Sequence, residues 1–313
     1  MKSICVIGGA NIDVCGASIE PLRNFDSNPG TIQLGFGGVG RNIAQICALL
    51  KENVKFVTCF SDDNYGTLMK KDCEKLGMDC SLSCIVHDLP SSMYVAILDH
   101  DHDMRVAMSD MRILRKMDHD MLDHVLASLD EDDIIIIDAN LDMDCIGYLL
   151  DHAKCPIAAD PVSVSKSGRF IEYIDRISIF KPNRFEAEEM TGILIEDEDS
   201  AKKCLKWFLD HGVKEVIISL ADKGVLLGTQ EKSIWITHRT IALENATGGG
   251  DTLLGAYVSK RLHGCDPKDA LYYGVTAAVD AIEQDSYNRR SLDPEKIEKK
   301  IEKMNIKEKV LCM

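Results

Sequence analysis

The string NATGGGD, Asn245 to Asp251, runs directly into the apolar stretch LLGAYVSKRL. Three consecutive glycines, Gly248, Gly249 and Gly250, leave the backbone nearly unhindered before a helix start. The first N–H groups of a helix have no internal partner, and together with the helix dipole they favour an anion. Asp251 puts a carboxylate where a phosphate would bind. That combination suits phosphoryl transfer, with the glycine amides holding the moving group and Asp251 taking the proton of the attacking hydroxyl. A capped helix after a flexible turn accounts for the same residues.

Three further strings carry chemistry. GGANID, Gly8 to Asp13, follows an apolar run, so Asn11 and Asp13 are expected at a strand's carboxyl end. A carboxylate there can accept hydrogen bonds from neighbouring hydroxyls, as on a ribose, or can close an Asx-type turn. GFGGVGRN, Gly35 to Asn42, matches G-x-G-x-x-G on paper, with Asp62 about twenty residues on, as in a dinucleotide-binding fingerprint. It does not open from the first buried strand, however. The other reading is that these glycines, Gly38 among them, let a substrate lie against bare backbone, with Asn42 reaching it. In KPNRFEAEE, Asn183 and Glu186 fall one turn apart, a spacing that suits a hydrated magnesium ion and equally a capping box. Lys166, at the end of DPVSVSK, is either a ligand contact or a solvated cation.

The elements that must position these residues alternate. SICVIGG, KFVTCF, DDIIIID, PIAADP, RISIFKP, EVIISL, GVLLGT and SIWITH read as strands, the continuous β-branched runs as buried ones. Helical spacing appears in GRNIAQICALLKEN, YGTLMKKDCEKLGM, CIGYLLDHA, FEAEEMTG, AKKCLKWFLDHG (capped by Asp199 or Ser200) and LYYGVTAAVDAIEQ. A last amphipathic helix starts at Asp293-Pro294. Such alternation predicts an α/β fold: a doubly wound, mainly parallel sheet with helices on both faces. Ligands then bind outside the carboxyl ends of the strands. Two strand-like segments, about 14–36 and 91–110, interrupt the rhythm and are expected to form a small antiparallel β-sheet lid.

The 313 residues carry a net charge of −15, which disfavours nucleic-acid partners. No run is long and apolar enough for a membrane span, and no secretory signal is evident. Most of the twelve cysteines sit in apolar runs and read as free thiols of a reducing, cytoplasmic setting. The histidines at 100, 102, 119 and 124 lie in acidic stretches and read as solvated.

Taken together, GGVGRNIAQICALL, NATGGGDTLLGAYV and Asn183-Arg184-Phe185-Glu186 resemble the signatures of the ribokinase-like (PfkB) carbohydrate kinase family, over nearly the whole chain. GGANIDVCG, SNPGTIQLGFGGVGRNIAQ, DMRVAMSDM and ADPVSVSK are most similar to its pseudouridine-phosphorylating branch. The resemblance implies a single kinase domain over 1–313. It implies transfer of the ATP γ-phosphate to the 5′-hydroxyl of pseudouridine, with Mg2+, and a homodimer through the lid. Asp251 matches the catalytic base and Gly248–Gly250 the anion hole. Asn11, Asp13, Gly38 and Asn42 match sugar-binding positions, and Lys166 a lysine typical of that branch. Asn183 and Glu186 match the magnesium motif, and Ser219, Gly224 and Ala278 fall where ATP is lined. The sequence departs from the family at Gly249, usually Ala. It departs again at Asn245, where many members carry Asp beside a K+ ion, so K+ activation is a separate question. Another family kinase acting on ribose, adenosine or a different nucleoside, an NAD-dependent oxidoreductase and a non-catalytic nucleoside sensor are the competing readings.

Overall fold

The computed structural model describes residues 1–237, 248–283 and 291–311. Asn245 and Cys312 lie outside the described residues.

Strands β1 (Ile4–Ile7), β2 (Asn11–Ser18) and β3 (Gly30–Gly37) precede helix α1 (Val39–Leu49). Next come β4 (Val54–Val57), β5 (Cys59–Ser61), α2 (Asn64–Lys75), β6 (Met78–Asp79), β7 (Cys84–Val86), β8 (Met93–Leu98) and β9 (Met104–Asp110). The middle alternates through α3 (His119–Ala127), β10 (Ile134–Asp138), α4 (Met143–His152), β11 (Ile157–Asp160), α5 (Val164–Ser167) and β12 (Ile179–Phe180). It continues with α6 (Arg184–Thr191), α7 (Glu198–Asp210) and β13 (Glu215–Ser219). The remainder is β14 (Val225–Thr229), β15 (Ser233–Thr237), α8 (Gly249–Leu262), α9 (Pro267–Glu283), α10 (Pro294–Ile301) and β16 (Lys307–Leu311).

Ten strands form the large sheet in the order β16-β15-β14-β13-β12-β11-β10-β1-β4-β6. Pairs from β13 to β6 are parallel, and those from β13 to β16 antiparallel. From β1 the chain builds outward to β4 and β6 on one side, and later to β10 through β13 on the other. The winding therefore reverses between β1 and β10, where an open α/β sheet leaves a crevice for a ligand. Both faces are covered, as the unbroken apolar strands require. Cys5, Ile7, Ile135 and Ile137 join the core under α3, α4 and α7. Their neighbours Ile4, Val6, Ile134 and Ile136 join the core under α1, α8 and α9.

The second sheet has four strands in the order β3-β2-β8-β9. It is mixed rather than antiparallel, because β2 and β8 run parallel while the two outer pairs are antiparallel hairpins. Each hairpin is legible locally, but the register between hairpins is a long-range pairing. Other differences have local causes. RISIFKP yields only Ile179–Phe180 as strand, since 168–176 forms a 3-10 helix before it. Asp197, not Asp199 or Ser200, caps α7; Ser200 is its reciprocal partner, an ambiguity built into the run EDEDS. Strand β16 escapes pattern reading because KEKVL is a charged edge strand with little alternation. Among the described residues no helix is long and apolar enough to cross a membrane.

Candidate active site

The carboxyl ends of β1, β10, β11, β12 and β13 deliver Gly8-Gly9, Asp138, Asp160, Lys181 and Ser219 to one edge of the large sheet. Helices α1 and α8, paired against each other, bring the glycine-rich strings to the same assembly.

Asn11 and Asp13 are not at the end of β1. They lie at the start of β2, beyond the turn Gly8–Ala10, and belong to the smaller sheet. The Asn11 amide donates to Asp13 Oδ1. Burial pushes the Asp13 carboxyl up to about 6, against the pull of Asn11 and Arg41. Its carboxylate lies against Gly37, where any Cβ would overlap Oδ2.

The glycines of GFGGVGRN serve close backbone packing. Gly38, at φ 99°, is the N-cap of α1. A Cβ on it would overlap the Gly9 carbonyl oxygen, and one on Gly40 would meet Gly8 Cα at 2.8 Å. The Gly40 N–H donates to Asp138 Oδ2 (2.7 Å) and the Arg41 N–H to the Gly9 carbonyl (3.0 Å). A dinucleotide-binding fingerprint needs free helix-start amides and a parallel-sheet strand before it. Here those donors are already used, and the string follows a strand of the smaller sheet, so that reading is overturned. Asp62 likewise pairs with His87 (2.8 Å) at an exposed position. Asn42 instead reaches the other glycine string: its Nδ2 donates to Asp251 Oδ2 at 2.9 Å.

At that string Gly248 is left-handed (φ 78°) and has no side chain to cap α8, which begins at Gly249. The first-turn amides of Gly249 and Gly250 thus precede the first intrahelical bond, from the Thr252 N–H to the Gly248 carbonyl. A Cβ on Gly249 would meet Ile282 Cδ1 at 2.6 Å, so glycine there relieves contact with α9. A Cβ on Gly250 would lie 3.0 Å from Lys181 Nζ, which places an ammonium beneath the glycine turn.

Lys181 is 4 % exposed and pairs with Asp160 (3.0 Å). Burial opposes its charge, but Asp160, Glu186 and Asp251 outweigh that and raise its pKa above the ordinary value. Glu186, 2 % exposed, is pushed up by burial and by Asp160, partly offset by Lys181 and the Asn183 N–H. Asn183 and Glu186 form the capping box: the Glu186 N–H donates to Asn183 Oδ1 (3.0 Å) and the Asn183 N–H to Glu186 Oε2 (2.7 Å). The box uses one oxygen of each side chain, so the cap and a metal-facing role are compatible. Three carboxylates, the buried Asp160 and Glu186 and the partly exposed Asp251, thus face one ammonium, an excess of negative charge that fits a hydrated divalent cation.

Lys166 on α5 donates to Asn140 Oδ1 (2.6 Å); burial lowers its pKa, opposed by Asp138. Ser219 bridges to Asn183 through the backbone. Gly224, at φ 97°, closes the turn from Leu220 to β14, and a Cβ on it would strike the Ile236 carbonyl. Ala278, 9 % exposed, packs in the apolar core on the α8–α9 side. Sequence reading gives no role to Lys181, Asp160, Asp138 or Asn140. The available signal is a charged residue closing an apolar strand, in IIIID, IAAD and IFK. The cysteines at 5, 47, 59, 73, 80, 145, 155 and 204 are buried free thiols, and those at 15, 84 and 265 are partly exposed.

A doubly wound sheet with a glycine-capped helix, a carboxylate in its first turn and a buried cation beneath defines a phosphotransferase-type site. The chain belongs to the pfkB family of carbohydrate kinases, whose model matches residues 1–292. It is 33% identical over 258 residues to pseudouridine kinase of Escherichia coli K12, covering 82% of each chain. The fold is shared with ribokinase of Thermotoga maritima (TM-score 0.84, 22% identity, 96% of this chain and 100% of that one). It is also shared with ribokinase of Arabidopsis thaliana solved with ribose and ATP (TM-score 0.82, 21% identity, 96% and 99%).

Proposed function

We propose that this kinase transfers the γ-phosphate of ATP to the 5′-hydroxyl of pseudouridine. The observation that carries the reading is the Asn42–Asp251 hydrogen bond, which joins the acceptor-binding string to the carboxylate at the helix start. The likeness to pseudouridine kinase supports the substrate.

In this reading Asp251 accepts the 5′-hydroxyl proton as that oxygen bonds to the γ-phosphorus and ADP departs with the bridging oxygen. Little covalent work is required, so positioning and charge stabilisation dominate. Asn11 and Asp13 receive the ribose hydroxyls, Gly38 lets the turn before them pack against the start of α1, and Asn42 orients both acceptor and base. Lys166 contacts the nucleobase. The amides of Gly248, Gly249 and Gly250, with Lys181, meet the charge on the moving phosphoryl group. Ser219, Gly224 and Ala278 line the ATP side. Glu186 and Asn183 would hold a hydrated Mg2+, which supplies charge neutralisation on the phosphates when bound. The four-stranded sheet acts as a lid that excludes water.

Asp251→Asn keeps the shape and removes the base. Its kcat is expected to fall by about 100-fold or more while nucleoside binding stays within a few-fold. A near-normal kcat would remove Asp251 from the mechanism.

A second copy of the chain is the proposed partner. Two cross-strand rows, Leu34–Val14–Val95–Met108 and Ile32–Gly16–Ile97–Val106, make one apolar face of the lid sheet. Ile32 and Met108 are 75 and 74 % exposed on it. Successive strand residues alternate faces, so Asp13 lies on the other side from Val14.

A further inference from the structure

Asp138 closes β10 at the reversal point of the sheet and is 1 % exposed. Its Oδ2 accepts from the Gly9 N–H (2.9 Å), the Gly40 N–H (2.7 Å) and Asn140 Nδ2 (3.1 Å). Its Oδ1 accepts from the Asn140 N–H (2.8 Å). One buried carboxylate therefore ties the turn after β1 to the first turn of α1, two segments that the chain separates by strands β2 and β3. The turn carrying Asp138 and Asn140 is itself braced. Arg169 Nη1 donates to the carbonyls of Ala139 (2.9 Å) and Leu141 (2.6 Å), and the Ala139 N–H donates to the Asp160 carbonyl (3.0 Å). The fit is tight: a Cβ on Gly8 would meet Asp138 Oδ2 at 2.6 Å, and one on Gly9 would meet Asn140 Nδ2 at 2.6 Å. From Asn140 the chain of bonds continues to Lys166, and from Gly40 the helix continues to Asn42 and Asp251.

We propose that Asp138, through its bonds to Gly9 and Gly40 and through Asn140, is the positioning residue of the acceptor half of the site, holding Asn11–Asp13, Asn42 and Lys166 in register with one another. This rests on the reading of those segments as acceptor-binding. Every bond involved is to a donor, so an amide cannot replace the carboxylate. Whichever way the amide of Asp138→Asn turned, its NH2 would face at least one N–H. The side-chain bonds of Asp138 and Asn140 do not extend to Ser219, Gly224 or Ala278, so the effect is expected to fall on the acceptor more than on ATP.

Asp138→Asn and Asn140→Ala, each in the full chain, test this by steady-state kinetics and amide hydrogen exchange. The acceptor KM is expected to rise about tenfold or more for Asp138→Asn and about three- to tenfold for Asn140→Ala, with the KM for ATP held within about twofold. For Asp138→Asn, exchange is expected to quicken in peptides covering 8–13 and 38–42 and to stay unchanged in α7. Should Asp138→Asn fail to fold, Asn140→Ala leaves the bonds to Gly9 and Gly40 in place and carries the same split. Parallel rises in both KM values, or quickened exchange with an unchanged acceptor KM, would reduce Asp138 to a structural clamp and overturn the proposal. Absence of any ATP-dependent turnover by the unmodified protein contradicts the kinase reading instead. The exchange measurement uses no substrate and still decides whether Asp138 holds the two turns.

Discussion

In the proposed role the carboxyl group of Asp13 accepts two hydroxyl hydrogen bonds and must be ionised to do so, yet burial raises its pKa to about 6. Above that value it is an acceptor; below it, it carries a proton and offers a donor where the proposed ribose would also donate. The acceptor KM is therefore expected to climb as pH falls through about 6, with the KM for ATP much less affected, as a pH series of initial rates would show. The stability consequence has the opposite sense. A raised carboxyl pKa means the folded state binds the proton more tightly, so ionised Asp13 destabilises the fold above about 6 and ceases to do so below the ordinary value of 3.8. Asp13→Asn should raise the denaturant midpoint at about pH 8, by a stability on the order of 1–3 kcal/mol, and leave it nearly unchanged at about pH 4. An equal shift at both values would mean that the charge of Asp13 is not the cause. As candidates, Asn11, Asp13, Asn42 and Asp251 are legible in the sequence because they stand in short strings of distinctive chemistry, and the structure brings Asn42 to Asp251. Asp138, Asn140 and Lys181 are not legible there, since their roles come from partners distant along the chain.

Elements at the site can serve two jobs at once, and α6 is the plainest case. The two readings of Asn183 and Glu186, cap or metal motif, are equally good on spacing. The fold realises the cap and leaves the second oxygen of Glu186 for other work. Asn183→Ala should cost about 1 kcal/mol through the lost N-cap, read as a lowered midpoint of unfolding. If Glu186 also serves magnesium, the same variant should need several-fold more Mg2+ for half-maximal rate, because Glu186 loses the reciprocal bond that aims it. A stability loss with no change in Mg2+ demand would confine α6 to its capping role. Most strands and helices follow from periodicity, since continuous β-branched runs and helical spacing are local signals; the short β6 and β7 do not. The parallel pairing of β2 with β8 is not available from either hairpin, and β16 carries too many charges to advertise itself. The glycines of α1 look like a nucleotide fingerprint because backbone crowding and phosphate approach both demand glycine. Only the location of the string, after the smaller sheet, and its occupied amides separate the two.

For the whole molecule, the apolar rows on the lid should bury against a second copy. Leu34→Glu with Met108→Glu would place like charges on both sides of such an interface. Sedimentation at micromolar concentration is expected to show a dimer for the unmodified chain and a monomer for the double variant; a monomer in both cases removes the lid as an interface. The central claim is the identity of the acceptor, and the most direct test is turnover of a panel with ATP and Mg2+: pseudouridine, uridine, adenosine, guanosine and ribose, scored by kcat/KM for the phosphorylated product. Pseudouridine is expected to exceed every other acceptor by at least about tenfold, a difference of roughly 1.4 kcal/mol in transition-state binding. A preference for ribose, uridine or a purine nucleoside would contradict the account while leaving the kinase family untouched.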